Sequence, residues 1–409
     1  MPGPGRDAVP RACRPPPTTP GRLRSGAPVL PRRAVVRSRM NMVRPRVKSV
    51  HEPYLLPRNR LMIGLMQYGV AAEIQDDEDG TIARLLTLLD GTRDLTEVCH
   101  DLAATHPGLS DESVREVVDQ LAEQGFIEDA AAPLPDGVTP EAAARYDRAR
   151  HFFSWIDDKP RESPYDAQAR IGRGRVAVLG LGGTGTAVAA SLVASGVGRL
   201  HCADFDVVDE PNLTRQLLYT ESDVGQPKVK VAVERLRAMN SGVAVTGEER
   251  QVRSADDIAE LMAGFDALVL CADKPERLIQ TWSNEAALRT GVPWFMALYT
   301  GPMAVVGSFL PYRTGCYTCL QRRPDKHEMH THGTSLTNLP RPNAVIAANA
   351  NITGHLCALE VLYHLAGLPQ QVAGRVFHQS VARWDHQYFV DVPHDPDCPS
   401  CGAQSQSRG

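Results

Sequence analysis

The sequence predicts an α/β fold, a doubly wound sheet over residues 145–409, preceded by a small α+β domain over residues 49–130. Three observations carry this. A buried-strand run, Val176-Ala177-Val178-Leu179, opens onto a glycine-rich turn and then an apolar helix. Residues 49–130 instead mix short strands with three short amphipathic helices. Charge is also partitioned along the chain. The 409 residues carry 44 Lys+Arg and 48 Asp+Glu, a formal charge of −4. Residues 1–48 hold twelve basic side chains and one acid, a net +11; residues 49–130 net −12, and the remainder −3. Segments this unlike in charge point to separate roles. At 43% apolar and a length that suits two or three domains of about 150 residues, the chain can bury a sizeable core.

Residues 1–48 hold ten prolines and little apolar periodicity, too little to offset chain entropy, so they are expected to be disordered. A basic arm for nucleic acid, a segment upstream of a start at Met40 or Met42, and an Arg-rich transit peptide are the alternatives for it. Leu61-Met62-Ile63 and Gly69–Ile74 are expected to be strands. A first helix is expected over Gly80–Leu89, where Ile82, Leu85, Leu86 and Leu89 share a face, stopped by Asp90-Gly91. Thr92 and Asp94 can cap a second helix around Leu95–Ala103, and Ser110 a third through Val114, Val117, Val118 and Leu121. Gly125 ends it, and Phe126-Ile127 starts a returning strand.

Strands, three short helices and a wing within 80 residues resemble a winged helix. The net charge of −12 argues against DNA as the ligand, because duplex binding rests on Lys and Arg neutralising phosphates. The stretch resembles instead the PqqD-like leader-peptide recognition domain of ribosomal-peptide biosynthesis. The resemblance rests on the element order and on Asp90-Gly91-Thr92-Arg93-Asp94-Leu95-Thr96-Glu97. It implies that residues 49–130 bind a precursor peptide as an added strand, with the acidic surface favouring a basic leader. The alternative is a structural dimerisation domain. Residues 131–144, rich in Ala and Pro, are expected to be a linker.

After Val176–Leu179 comes Gly180-Leu181-Gly182-Gly183-Thr184-Gly185, with a helix expected from Thr186 to Ser195. Gly180, Gly182, Gly183 and Gly185 allow a tight turn and close approach of backbone to phosphate, a Rossmann-like arrangement. A second strand, Arg199–Ala203, ends at Asp204, placed to hold ribose hydroxyls. To this point the pattern suits an NAD enzyme equally well. The run Asp204-Phe205-Asp206-Val207-Val208, then Asn212-Leu213-Thr214-Arg215-Gln216 and Gly225-Gln226-Pro227-Lys228, separates the cases. Arg215 and Lys228 supply two cations, which suit a triphosphate losing pyrophosphate. Asp273, just past the strand Ala267–Cys271, suits Mg²⁺.

This constellation resembles the E1-like adenylating superfamily of ThiF, HesA and MoeB type, whose members activate a carboxylate as an acyl-adenylate. The resemblance implies ATP contacts at Gly183, Asp204, Asn212, Arg215, Lys228 and Asp273, with Asp206 in the same run. It also implies a homodimer in which Arg148 reaches the partner's site as an arginine finger, although Ala149 stands where a Gln usually follows. Within the superfamily the best match is the microcin C-type peptide adenylyltransferases, on Asn212–Gln216, Ala272-Asp273-Lys274-Pro275, Thr314-Gly315-Cys316-Tyr317 and Cys398–Gly402, and on the layout of a peptide clamp ahead of the adenylating domain. Catalytic roles then fall on Arg148, Arg215, Lys228 and Asp273. The activated group is the C-terminal carboxylate of a ribosomal precursor peptide. A sulfur-carrier-protein adenylyltransferase and a non-catalytic leader-binding scaffold are the rival readings.

Cys316-Tyr317-Thr318-Cys319 and Cys398-Pro399-Ser400-Cys401 form two CxxC pairs, the spacing of a four-thiolate structural zinc site. No cysteine lies between Leu320 and Leu356, so no thioester step is expected, and Cys357 reads as core. His327, His330 and His332 read as solvated loop residues. Val176–Gly198 lacks charge for 23 residues but holds six glycines and reads as strand–turn–helix, not as a membrane span. Without a signal-peptide pattern or a disulfide framework, the expected location is the cytoplasm.

Overall fold

The computed structural model describes residues 42–64, 71–157, 159–276, 278–323 and 343–402. The elements of the N-terminal unit are β1 (Pro45–Val47), β2 (Pro53–Leu56), β3 (Arg60–Ile63), β4 (Ala72–Gln75), α1 (Thr81–Leu88), α2 (Leu95–Ala103), α3 (Asp111–Glu123) and β5 (Ile127–Asp129). Strands β2, β3 and β4 make an antiparallel sheet, and β1 pairs with β5. Their shared core is Leu61, Ile63, Ile74, Ile82, Leu85, Val98, Leu102, Val118 and Leu121.

The Asp90–Glu97 run explains itself locally. Gly91 takes φ +83°, and a Cβ there would lie 2.6 Å from the Ala130 Cβ. Asp94 caps α2 by accepting from the N–H groups of Thr96 and Glu97, while Glu97 Oε2 accepts from the Asp94 N–H at 2.8 Å, a closed capping box. Thr92 does not cap the helix; its N–H and hydroxyl both donate to Asp90 Oδ1.

Two expectations need correction. Residues 45–47 form a strand paired with β5, so structure begins inside the stretch expected to be disordered. The partner lies some 80 residues away in sequence and leaves no local signal. Within the expected linker stands α4 (Pro140–Arg145), with Thr139 accepting from the Ala142 N–H and Pro140 in the first turn, where its missing N–H costs nothing.

The rest of the chain runs α5 (Asp147–Ile156), α6 (Asp166–Arg173), β6 (Arg175–Leu179), α7 (Gly183–Ala194), β7 (Arg199–Asp204), α8 (Lys228–Met239), β8 (Ala244–Glu249), α9 (Ala255–Met262), β9 (Ala267–Leu270), α10 (Leu278–Thr290), β10 (Trp294–Thr300), β11 (Met303–Phe309), α11 (Tyr317–Gln321), α12 (Ala347–Ala366), β12 (Arg375–Ser380) and β13 (Gln387–Asp391). The eight-stranded sheet has the order β13-β12-β11-β10-β9-β6-β7-β8; β10, β9, β6, β7 and β8 are parallel and the others antiparallel. Both faces are covered, so β9 and all of β6 after its exposed first residue, Arg175, are apolar, as buried parallel strands are. Val176 and Val178 join the core under α7, α8 and α12; Ala177 and Leu179 join the opposite core under α9 and α10.

After β8 the chain crosses over β7 and β6 to lay β9 on the other side of β6. The strand order therefore reverses between β6 and β9. In an open parallel sheet the crevice at such a reversal, beyond the carboxyl ends of the strands, is where ligands bind. No described helix is long and apolar enough to cross a membrane. Val176–Gly198 is indeed strand, turn and helix.

Candidate functional site

The glycine loop lies at that reversal. Gly180 has φ +94°, and a Cβ on it would come within 2.6 Å of the Ala272 nitrogen, so the ends of β6 and β9 touch. A Cβ on Gly185 would lie 1.8 Å from the Gly180 carbonyl oxygen. Helix α7 starts at Gly183, earlier than the expected Thr186, because these glycines let the backbone turn inward at once. The first-turn N–H groups of α7 are thereby free of intrahelical partners and face an anion-binding position.

Asp204, at the end of β7, is buried. Its Oδ2 accepts from the Leu181 N–H at 2.6 Å and its Oδ1 from the Asp206 N–H at 2.8 Å. Burial raises its pKa above the usual carboxylate range, and those two N–H groups and the Lys228 charge counter the rise. Asp204 thus braces the glycine loop. Lys228 opens α8 with a side chain 6% exposed, and its Nζ meets half-exposed Asp206 at 3.0 Å. A second contact, Lys228 N–H to Asp206 O at 3.0 Å, ties the same two residues through the backbone.

Arg215 follows the short 3₁₀ turn Glu210–Thr214, with Asn212 half-buried inside it. Its Nη1 donates to Pro211 O at 2.9 Å, and its own carbonyl accepts from Asn351 Nδ2 at 3.1 Å. Arg215 also flanks Gly183: a Cβ on that glycine would lie 3.4 Å from the Arg215 Cγ and 2.8 Å from the Ala350 Cβ. Asp273 is exposed beyond β9, beside the cis Lys274–Pro275 bond, and forms no ion pair among the described residues.

Contacts thus join Gly180–Gly185, Asp204, Asp206, Arg215 and Lys228 into one group, with Asp273 across the crevice. Arg148 stands apart. It is exposed on the first turn of α5, and no contact joins it to this group among the described residues. Sequence reasoning missed Ala350 and Asn351, which α12 brings against Gly183 and Arg215, and Tyr219, whose hydroxyl reaches Leu181 O. Spacing along the chain carries no sign of these pairings; only helix packing makes them.

A second site lies in the same domain. Cys316, Cys319, Cys398 and Cys401 are all buried, and their Sγ atoms lie within 4.8 Å of one another. Sγ separations are 3.8 Å for Cys316–Cys319, 3.7 Å for Cys316–Cys398 and 3.5 Å for Cys319–Cys401. Four sulfurs around one ion with Zn–S of about 2.3 Å stand about 3.8 Å apart. Four thiols at that spacing fit zinc. Cys357 is fully buried in the core, and burial pushes its thiol well above the usual value. His327, His330 and His332 lie outside the described residues.

Comparison with known proteins gives three findings. The sequence profile of the ThiF family matches residues 158–400. The sulfur carrier protein adenylyltransferase of Thermus thermophilus is 33% identical over 264 residues, 61% of this chain and 89% of that protein. Bovine adenylyltransferase and sulfurtransferase MOCS3 is 31% identical over 275 residues; the match spans 66% of this chain but about half, 56%, of the bovine protein. Among solved structures, Escherichia coli MccB with ATP superposes with a TM-score of 0.71 at 21% identity, over 88% of this chain and 99% of that one. PaaA gives 0.64 at 22% identity over 85% and 100%. At these identities the two structures share the fold of this chain.

Proposed function

The chain belongs to the ThiF family and is an adenylyltransferase, and from that premise we propose that it activates the C-terminal carboxylate of a short ribosomal precursor peptide, with ATP as donor and pyrophosphate as leaving group. The observation that carries the reading is the group at the β6/β9 crevice: a glycine loop with Arg215 against it, Lys228 paired with Asp206, and exposed Asp273 just past the end of β9. In the proposed step a peptide carboxylate oxygen attacks the α-phosphorus. The bond from that phosphorus to the bridging oxygen breaks, and the electron pair leaves on pyrophosphate. Arg215 and Lys228, with Arg148 from a second copy of the chain, stabilise the negative charge that grows there. Asp273 would hold Mg²⁺, which when bound neutralises part of the triphosphate charge. The four cysteines would hold a structural zinc ion.

Two features favour a peptide over a carrier protein. The N-terminal unit stands ahead of the adenylating half, and the likeness to MccB covers 88% of this chain, more than residues 158–400 alone supply. Structures of MccB include complexes with MccA. Both β2 and β4 have one unpaired edge within their sheet, where a leader could add as a strand. Carrier-protein adenylylation is the second reading, favoured by the identity to the Thermus enzyme. Neither reading calls for a thioester; Cys202 and Cys357 are fully buried, with thiols pushed up by burial.

The test uses the full chain with ATP and, in parallel, short basic-leader precursors and a Gly-Gly carrier protein. Pyrophosphate release with AMP attached to a peptide C-terminus is expected, and Asp273→Ala or Arg215→Ala should abolish it. AMP transfer to the carrier alone would establish the second reading. Tight peptide binding without nucleotide turnover would support a scaffold and overturn both.

A further inference from the structure

The glycine loop has a mechanical weakness. Leu181 sits between Gly180 and Gly182, and a Cβ on Gly182 would meet nothing nearer than 3.9 Å. A peptide unit next to glycine in open space rotates at little cost. Were the Leu181–Gly182 unit to flip, it would present a carbonyl to the phosphates in place of an N–H.

One side chain opposes that rotation directly. Asp204 Oδ2 takes the Leu181 N–H at 2.6 Å and so holds the preceding Gly180–Leu181 unit. From below, the Tyr219 hydroxyl donates to the Leu181 carbonyl at 3.1 Å, with Lys228 O as a second acceptor at 3.4 Å. Tyr219 is buried, and its own position is locked from both neighbours. Arg235, on α8, donates to Leu218 O, to Thr220 Oγ1 at 3.0 Å and to Asp223 Oδ2 at 2.5 Å. Burial, together with the nearby Asp204 and Asp223 carboxylates, holds the phenol well above its usual pKa, so it stays a donor at any working pH.

We infer that Tyr219 is a positioning residue for the nucleotide: its hydroxyl holds the Leu181 carbonyl inward, so that the Gly182 N–H points to the phosphates. The geometry follows from the trans peptide, in which a carbonyl and the next N–H point in opposite directions. Tyr219 also couples the two halves of the cradle, because its second acceptor, Lys228 O, belongs to the residue that brings the Nζ cation. The inference rests on reading residues 180–185 as a phosphate loop.

The experiment compares ATP with adenosine, which lacks phosphates, by calorimetric titration of the full chain and of Tyr219→Phe. ATP affinity is expected to fall about tenfold, the size of one hydrogen bond's net worth, with adenosine affinity within about twofold of the unaltered chain and the nucleotide-free melting temperature nearly unchanged. Equal losses for both ligands, or none for ATP, would overturn it. Should Tyr219→Phe fold poorly, Arg235→Gln, which loosens the bracket around Tyr219, carries the same comparison and the same expected ordering. An unaltered chain with no ATP affinity would defeat the phosphate-loop reading and this inference together; normal ATP binding by both chains would defeat this inference alone.

Discussion

Lys228 illustrates how a single residue can be built for an absent anion. It stands in the first turn of α8, where the helix dipole disfavours a cation, and its side chain is almost wholly buried. Asp206, paired with it at 3.0 Å, and the buried Asp204 carboxylate offset the charge. An arriving triphosphate relieves both penalties, so Lys228→Ala is expected to lower pyrophosphate release by about 10²–10³-fold without lowering the melting temperature of the nucleotide-free chain. A melting loss of many degrees with unchanged turnover would contradict that. His51 makes the opposite case. Buried against Phe126 with Nδ1 unpartnered, it has a pKa lowered to about 4, first by desolvation and then by the Lys48 charge. Its unfolded form binds a proton below the ordinary histidine value of 6.5, so stability present above that pH falls as pH drops toward 4. A shift of this size is worth about 3 kcal/mol. Melting curves between these pH values should show a slope that His51→Gln flattens.

At the scale of elements, caps and clips do much of the work. The Asp94–Glu97 box closes the start of α2, and Asp94→Ala should cost about 1 kcal/mol in denaturant unfolding of the N-terminal unit. The cysteine quartet clips the residues that open α11 to the tail at 398–401, which no strand pairing holds. Metal analysis is therefore expected to find about one Zn²⁺ per chain. Cys398→Ser should release the ion and expose the tail to proteolysis. Metal-free protein with an unaltered melting temperature would sink the zinc assignment. Both sites were legible where the signal is local: glycine spacing, CxxC spacing, a capping residue before an apolar helix. Strand β1 was not, because its partner β5 is remote; nor was α4, whose Thr139 and Pro140 signals were outweighed by an Ala/Pro-rich composition.

At the scale of the whole molecule, the two units meet through buried charge. Glu128 on β5 takes Arg46 at 2.5 Å and lies 3.8 Å from Arg150 on α5, while Lys48 Nζ donates to Asp157 O at 3.4 Å. Arg148 occupies the same helix as Arg150 but faces solvent. If it acts across a homodimer, Arg148→Ala and Asp273→Ala chains, each inactive alone, should regain about one quarter of full activity when mixed and allowed to exchange, since half of the dimers are mixed and one of their two sites is intact. No recovery, with exchange verified by mass, would place the finger elsewhere.

Local pattern alone determined the buried parallel strands, the glycine turn and the paired cysteines, because each depends on residues within one turn or one strand of one another. Tertiary structure decided what these pieces do together. It set β9 beside β6, so that Ala272, next to Asp273, lies against Gly180; it laid α12 against Gly183 and Arg215; it placed Tyr219 under Leu181 and Glu128 against Arg150. Those pairings join residues tens to more than a hundred positions apart. Their energy comes from burial and packing of whole elements, a quantity that no short stretch of sequence contains.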